Sequence, residues 1–320
     1  MMSLIRRNAR VSIAVIALAV LFVAFIAIHP RHLSTYVVSI WANQGILLAL
    51  AAIAQFFVVL VKGIDLSVGP VVALTNVVAS YWLAGSPLEV AIGTAGVLLV
   101  GTACGLANGI AVVYGRVQPI VATLATGSMF YGIALTLRPT PGGEVNEGIS
   151  DALTYDIYGV PTTLIVMVLV VLALAGPLRK TRLGLAMYAI GSSETSAYMT
   201  GLRTGTVKLA AYAAGGFFSG AAGFFVAMVT LTGDAGVGPS YTLNSIAAVV
   251  LGGVALTGGV GNPLGAVVGA LILKTISSLM FFTGLPPLAQ PFFEGAILAI
   301  AIMLGALNVF RHRSRLQAFE

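Results

Sequence analysis

Eight stretches of at least 20 residues run through the 320-residue chain without one Asp, Glu, Lys or Arg, at 11–30, 32–61, 66–88, 90–115, 117–137, 157–178, 209–233 and 235–273. A bilayer core about 30 Å thick needs roughly 20 apolar residues per helix, so each stretch is long enough to cross one. Only 8% of the residues are charged, against about 25% in soluble domains, which makes lipid the solvent of most of the chain. The 38 glycines fit that setting, because small residues let membrane helices approach closely. The expected fold is all-α, a polytopic transmembrane helical bundle forming a single domain over residues 1–320.

Dividing the long runs where Gly, Pro or charge interrupts them gives about ten spans: 11–29, 39–61, 67–84, 89–113, 118–137, 160–177, 208–232, 244–257, 264–283 and 291–309. The net charge of +6 would suggest nucleic acid in a soluble protein. Here most basic residues sit between apolar runs and report topology instead. With the N-terminus inside, the cytoplasmic ends and loops hold Arg6, Arg7, Arg10, Arg116, Arg179, Lys180, Arg182, Arg203, Lys208, Arg311, Arg313 and Arg315, against Arg31 and Arg138 outside. The acidic loop with Glu144, Glu147, Asp151 and Asp156 falls on the far side, and an even span count puts both termini in the cytoplasm. The run from Val11 to Ile28 is long for a signal peptide, and His29-Pro30-Arg31-His32 offers no small-residue cleavage site, so it reads as a first helix.

Two places interrupt the apolar pattern. Lys62-Gly63-Ile64-Asp65-Leu66-Ser67-Val68-Gly69-Pro70 breaks the first half, and Gly258-Gly259-Val260-Gly261-Asn262-Pro263 breaks the second. Each is followed by a similar Val/Ala/Leu string. A broken segment in each half is the mark of a repeat around a transport pathway, and the pattern is compatible with an inverted internal repeat. Non-helical backbone at membrane depth survives where protein or a wet cavity satisfies it, so Asp65 reads as a pathway-lining residue. It reads equally as a cap for the helix starting near Ser67, and the two roles are compatible. Polar side chains inside apolar spans suit a hydroxylated solute, which needs hydrogen-bonding partners when it leaves water. Gly63, Asp65, Ser67, Gly69, Asn108, Thr123 and Thr126 are the candidates, each with helix packing as its plainer role. Phe130 and Tyr131 suit either a sugar face or ordinary packing. Cys104, the lone cysteine, reads as a small core filler.

The string Gly63 to Gly69 resembles the signature of ribose/xylose-type sugar permeases of ATP-binding-cassette importers. Three further blocks in the same order are similar to that family: Ala107-Asn108-Gly109-Ile110 with Arg116-Val117-Gln118-Pro119 through Thr126, Thr181-Arg182-Leu183-Gly184 with Tyr188 through Leu202, and Ile246 through Gly253 with Gly258 through Ala270. The resemblance covers residues 45–305 or so. It implies a ten-helix subunit paired with a second permease copy, the same chain or a different one. It also implies two cytoplasmic ATPase domains that bind ATP and Mg, and a periplasmic solute-binding protein, at a bacterial inner membrane. No cofactor is implied for this chain, nor nucleic acid as a partner. In the family a helix in the main cytoplasmic loop, here about 178–206, docks into the ATPase. Carried over by position, Arg182, Gly191, Glu194, Ala197 and Gly201 are the coupling residues, with Glu194 starting the helix.

The chain also departs from the family pattern. Lys62 stands where Gly is common, Thr75 and Asn76 where small residues are usual, and Tyr131 where Arg is frequent. Lys274 falls in the ninth span and Glu294 in the tenth, which suggests a pair between them, with Lys274 facing the pathway or snorkelling as rivals. No Gly-x-x-x-x-Gly-Lys-[Ser/Thr] loop occurs, so ATP hydrolysis is expected in a partner and not here. His29, His32 and His312 sit near span ends, which argues against an intramembrane enzyme. An ion-coupled secondary transporter is the alternative, with Asp65 and Glu294 as its carboxylates. The solute class implied is a sugar or similar small polar molecule, since the Asp-Leu-Ser string looks like the sugar branch of a broader family that also serves amino acids and nucleosides.

Overall fold

A computed structural model describes residues 2–286 and, beyond them, 289, 292, 293, 295, 296, 299 and 303; for residues 2–10 it describes the backbone. Most of the expected tenth span, with Glu294, and the residues Arg311, His312, Arg313 and Arg315 lie outside the described residues.

The chain is an all-α bundle. Its helices are α1 (Met2–Ile28), α2 (Thr35–Leu60), α3 (Val68–Trp82), α4 (Pro87–Val113), α5 (Pro119–Leu137), α6 (Glu147–Thr154), α7 (Thr162–Lys180), α8 (Arg182–Ser192), α9 (Glu194–Met199), α10 (Thr204–Thr230), α11 (Gly238–Leu251) and α12 (Pro263–Phe282). Among the described residues seven helices are long and apolar enough to cross a membrane. α3 and α11 are shorter: at 1.5 Å per residue they reach only about 22 and 21 Å. Both abut non-helical segments, which is why the hydropathy pattern reads them as full spans.

The expected eighth span, 244–257, is displaced. α11 begins six residues earlier because Pro239 stands in its first turn, where a missing N–H costs nothing. It ends at Gly252, and Gly253 then takes a left-handed φ of 79°. The expected loop 178–206 is likewise mostly helical, holding α8 and α9. Thr181 and Ser193 cap these helices by accepting from the amides of Gly184 and Ser196.

Successive helices run between two ends of the bundle. At one end the turn after α2, the start of α10 and the turn before α12 gather around α8. At the other, the acidic segment folds back as α6 and a hairpin pairing Asp156–Ile157 with Val160–Pro161. There Ser39 of α2 donates to Asp156 at 2.5 Å, and Ser150 of α6 donates to the carbonyl of Met228.

α10 is the central packing element, against α4, α2 and α3. Gly101, Gly105 and Gly109 recur every fourth residue on α4, and Gly216 and Gly220 answer them on α10. A Cβ on Gly105 would overlap the Tyr212 carbonyl and the Gly216 backbone, so these two helices meet backbone to backbone. α2 is almost wholly enclosed, and α12 closes the bundle by packing on α11, α2 and α1.

A third interruption falls in the gap between the expected spans 208–232 and 244–257. Between α10 and α11 the chain leaves the α-helical path beside α3, with one 3-10 turn at Ala235–Val237, and there Gly233 lies against Ser80 and Gly238 against Ala73 and Gly69. Asn76, fully buried on α3, satisfies this backbone: its amide donates to the Thr232 carbonyl at 3.1 Å and accepts from the Asp234 amide at 2.7 Å. The polar residue that departs from the family pattern thus bonds irregular backbone inside the bundle, as a dry setting demands.

Candidate functional site

The two broken segments expected from sequence meet in space. α2 ends with Lys62 in the left-handed region, φ 66°, and the amides of Lys62 and Gly63 donate back to the carbonyls of Val59 and Val58. α11 ends in the same way, with the amides of Gly253 and Val254 donating to the carbonyls of Val250 and Val249. This left-handed cap is usually made by glycine, and the first copy uses Lys62 instead. The Gly259 amide then donates to the Leu60 carbonyl at 3.0 Å, joining the second break to the end of α2.

α8 sits on that junction. A Cβ on Gly191 would overlap the Leu60 carbonyl and the backbone of Gly259, so only glycine lets the helix lie this close. The Lys62 ammonium donates to the Ser192 carbonyl at 3.3 Å, and the Tyr188 hydroxyl to the Gly261 carbonyl at 2.9 Å. Of the expected coupling residues, Gly191 and Ala197 are buried against the bundle, whereas Arg182 and Gly201 are exposed. Glu194 pairs with Lys208 of α10 at 2.5 Å. The surface of α9 turned away from the bundle instead carries Tyr198 and Met199, 71% and 80% exposed. The carry-over by position did not include them, although two large apolar side chains beside Ala197 were visible in the sequence.

The expected pathway residues fall into one buried network just beyond the first break. One carboxylate oxygen of Asp65 accepts from the Ser67 amide at 2.7 Å and the Ser67 hydroxyl at 2.6 Å. Ser67 accepts in turn from the Asn108 side-chain amide at 2.6 Å, and Asn108 accepts from the Thr126 hydroxyl. Thr123 accepts from the Leu66 amide at 3.0 Å. Asp65, Ser67, Asn108 and Thr123 are all buried, so their polar groups turn toward one another and toward the break. Gly63 and Gly69 are close-packing points. A Cβ on Gly63 would press on Tyr212 and Val58, and one on Gly69 would overlap Thr242 and the Gly238 carbonyl. Sequence reading missed Gln55, buried on α2. In the amide orientation that satisfies both groups, it donates to the Asp65 carbonyl at 2.9 Å and accepts from the Asp65 amide at 3.2 Å.

A polytopic helical bundle with broken helices knit by a buried polar network, and a helical hairpin seated on the breaks, has the architecture of a membrane transport component. Residues 37–302 match the family described as branched-chain amino acid transport system / permease component, and the chain belongs to that family. It is 31% identical over 295 residues to the ribose import permease protein of Haemophilus influenzae, covering 90% of each chain. It is 32% identical over 297 residues to the ribose import permease protein of Bacillus subtilis, again covering 90% of each. To the autoinducer 2 import system permease protein of Escherichia coli it is 29% identical over 310 residues, covering 94% of this chain and 93% of that one. No solved structure matches the chain.

Proposed function

We propose that this chain is the membrane-spanning permease subunit of an ATP-binding-cassette importer, carrying a sugar or a sugar-like small polar solute across the inner membrane of a bacterium. It works as one transmembrane domain over 1–320, with a second permease subunit, two cytoplasmic ATPase domains and a periplasmic solute-binding protein. The family membership supports the transport role, and the names of the ribose and autoinducer 2 permeases support the solute class. The basic end of the bundle is cytoplasmic on this reading, by the excess of Lys and Arg in its loops.

One observation carries the ATPase partnership. α9 lies outside the spans, held from behind by Ala197 and the Glu194–Lys208 pair, yet it presents Tyr198 and Met199 to water. Large apolar side chains set side by side on a water-facing helix fit a partner that covers them. The inner side of the same hairpin, at Gly191, touches the ends of α2 and the second break. A push on α9 therefore reaches both broken segments through packed backbone, which transmits displacement with little loss. The Asp65, Ser67, Asn108, Thr123 and Thr126 network, with Gly63 and Gly69, holds the first break in shape beside the pathway.

The test is solute-stimulated ATP hydrolysis by the transporter reconstituted with its ATPase and binding protein. Replacing Tyr198 and Met199 together by Ser should leave the permease folded and uncouple hydrolysis from solute. Full coupling in that double variant would remove the docking surface from α9. Uphill solute accumulation by proteoliposomes holding this chain alone, without nucleotide, would replace the importer reading with an ion-coupled carrier.

A further inference from the structure

At the basic end, beside the junction of the two breaks, a cavity of about 410 Å³ opens between α1, α7, α8 and the turn before α12. Its walls are Val11, Leu185 and Val260 on the apolar side, and Arg179, Tyr188 and Asn262 on the polar side. Three of these residues mark the same depth. Val11 begins one apolar span, Arg179 stands one residue from the end of another, and Asn262 caps the start of a third. The cavity therefore lies where hydrocarbon gives way to headgroups, whichever way the bundle is inserted.

Its chemistry is that of an anion site. Among the described residues no acidic side chain pairs with Arg179. The carbonyls of Val260 and Gly261 are taken, by the Ala255 amide at 3.0 Å and the Tyr188 hydroxyl at 2.9 Å. The amides of Val260, Gly261 and Asn262 donate to nothing among the described residues. Three consecutive unspent N–H groups lead into the N-terminus of the 20-residue helix α12, whose dipole adds positive potential at that point.

We infer that this cavity binds the headgroup phosphate of an anionic phospholipid, with Arg179 as its cation and the apolar walls receiving the glycerol and upper acyl chain. Lipid is the abundant phosphate at this depth, and basic pockets between spans are suited to such headgroups. An occupant here rests on Tyr188 of α8 and on the Gly259–Asn262 turn, so it would brace the joint between the coupling hairpin and the second break. The inference stands apart from the identity of the solute and of the ATPase.

The full chain, purified in detergent and stripped of lipid, would be titrated with phosphatidylglycerol, phosphatidylcholine and inorganic phosphate, with bound lipid counted by native mass spectrometry. Phosphatidylglycerol should bind in preference to phosphatidylcholine. Arg179→Gln should weaken it about fivefold, the loss expected for one cation at a membrane surface. Lys180→Gln removes an equal charge next door that does not line the cavity, and should cost clearly less. Equal losses in the two variants, equal binding of the two lipids, or competition by millimolar inorganic phosphate would each overturn the assignment.

Discussion

The carboxylate of Glu194 and the ammonium of Lys208 meet at 2.5 Å, fastening the first turn of α9 to the first turns of α10. Because α10 is also the helix against which α2, α3 and α4 pack, this pair ties the α8–α9 hairpin to the centre of the bundle.

The pair is partly exposed, its side chains 20% and 44% accessible, so it contributes at most about 1 kcal/mol. Glu194→Arg should then leave thermal unfolding in detergent nearly unchanged while lowering solute-stimulated ATP hydrolysis of the assembled transporter. The expected loss from the ion pair itself is up to about fivefold. Exchanging the two charges, Glu194→Lys with Lys208→Glu, should recover most of it. No recovery would show that Glu194 acts on something other than Lys208.

Gly191 is the tightest point of contact between hairpin and spans. Gly191→Ala forces a methyl group onto the Leu60 carbonyl and the Gly259 backbone, an overpacking that costs about 1–3 kcal/mol. Thermal unfolding should shift down and coupling should fall, whereas Ser192→Ala, next door and exposed, should do neither. An unperturbed Gly191→Ala would mean that α8 can stand away from the junction without consequence.

Lys62 occupies a left-handed conformation at φ 66°, which costs a side-chain-bearing residue about 1–2 kcal/mol. Lys62→Gly relieves that strain and gives up the 3.3 Å bond to the Ser192 carbonyl, worth about 1 kcal/mol. The net effect on unfolding should be small and toward stabilisation, while Lys62→Val, which loses the bond and keeps the strain, should destabilise. Unfolding curves of the two variants that coincide would contradict this account of the cap.

Asn108 joins Ser67 to Thr126 across α3, α4 and α5. Asn108→Leu removes both bonds, while the Ser67 hydroxyl still donates to Asp65 at 2.6 Å and the Thr126 hydroxyl to the Ala122 carbonyl at 3.0 Å, so the loss is about 0.5–1.5 kcal/mol for each bond. Reduced thermal stability together with reduced solute uptake is the expected result. Normal uptake would leave the network with a packing role alone.

Asn76 offers a comparison at the other break. Asn76→Leu strips the partner from the Asp234 amide, at about 1–3 kcal/mol for a group left unsatisfied, and leaves the Thr232 carbonyl with the Thr230 hydroxyl alone. Its readout is amide hydrogen exchange, which should rise selectively between residues 231 and 238. Protection unchanged in that segment would refute the role given to Asn76.

The existence and placement of most spans were legible in the sequence, since α2, α4, α5, α7, α10 and α12 fall within a few residues of the expected ranges. So was the first break, because Gly, Asp and Ser interrupt an apolar run there. So was an interruption after α10, since Asp234 divides two apolar runs and residues 233–243 fall between the expected spans. What the sequence did not show is the partner that holds the segment, Asn76, 158 positions away from the Asp234 amide it receives. Gln55 escaped for the same reason. A lone amide in an apolar run carries no sign of which backbone it will bond.

Hydropathy and charge are sums over neighbouring residues, so the sequence alone determined that the chain belongs in lipid, roughly where it crosses, and where the apolar pattern is broken. Which polar groups meet is a matter of pairs far apart in the chain, such as Lys62 and Ser192, 130 positions apart. Only the packing of α8 onto the end of α2 and the turn before α12 turned two separate glycine-rich interruptions into one joint. Backbone must be satisfied by backbone or side chain wherever water is excluded, and the partner that satisfies it is chosen by the fold.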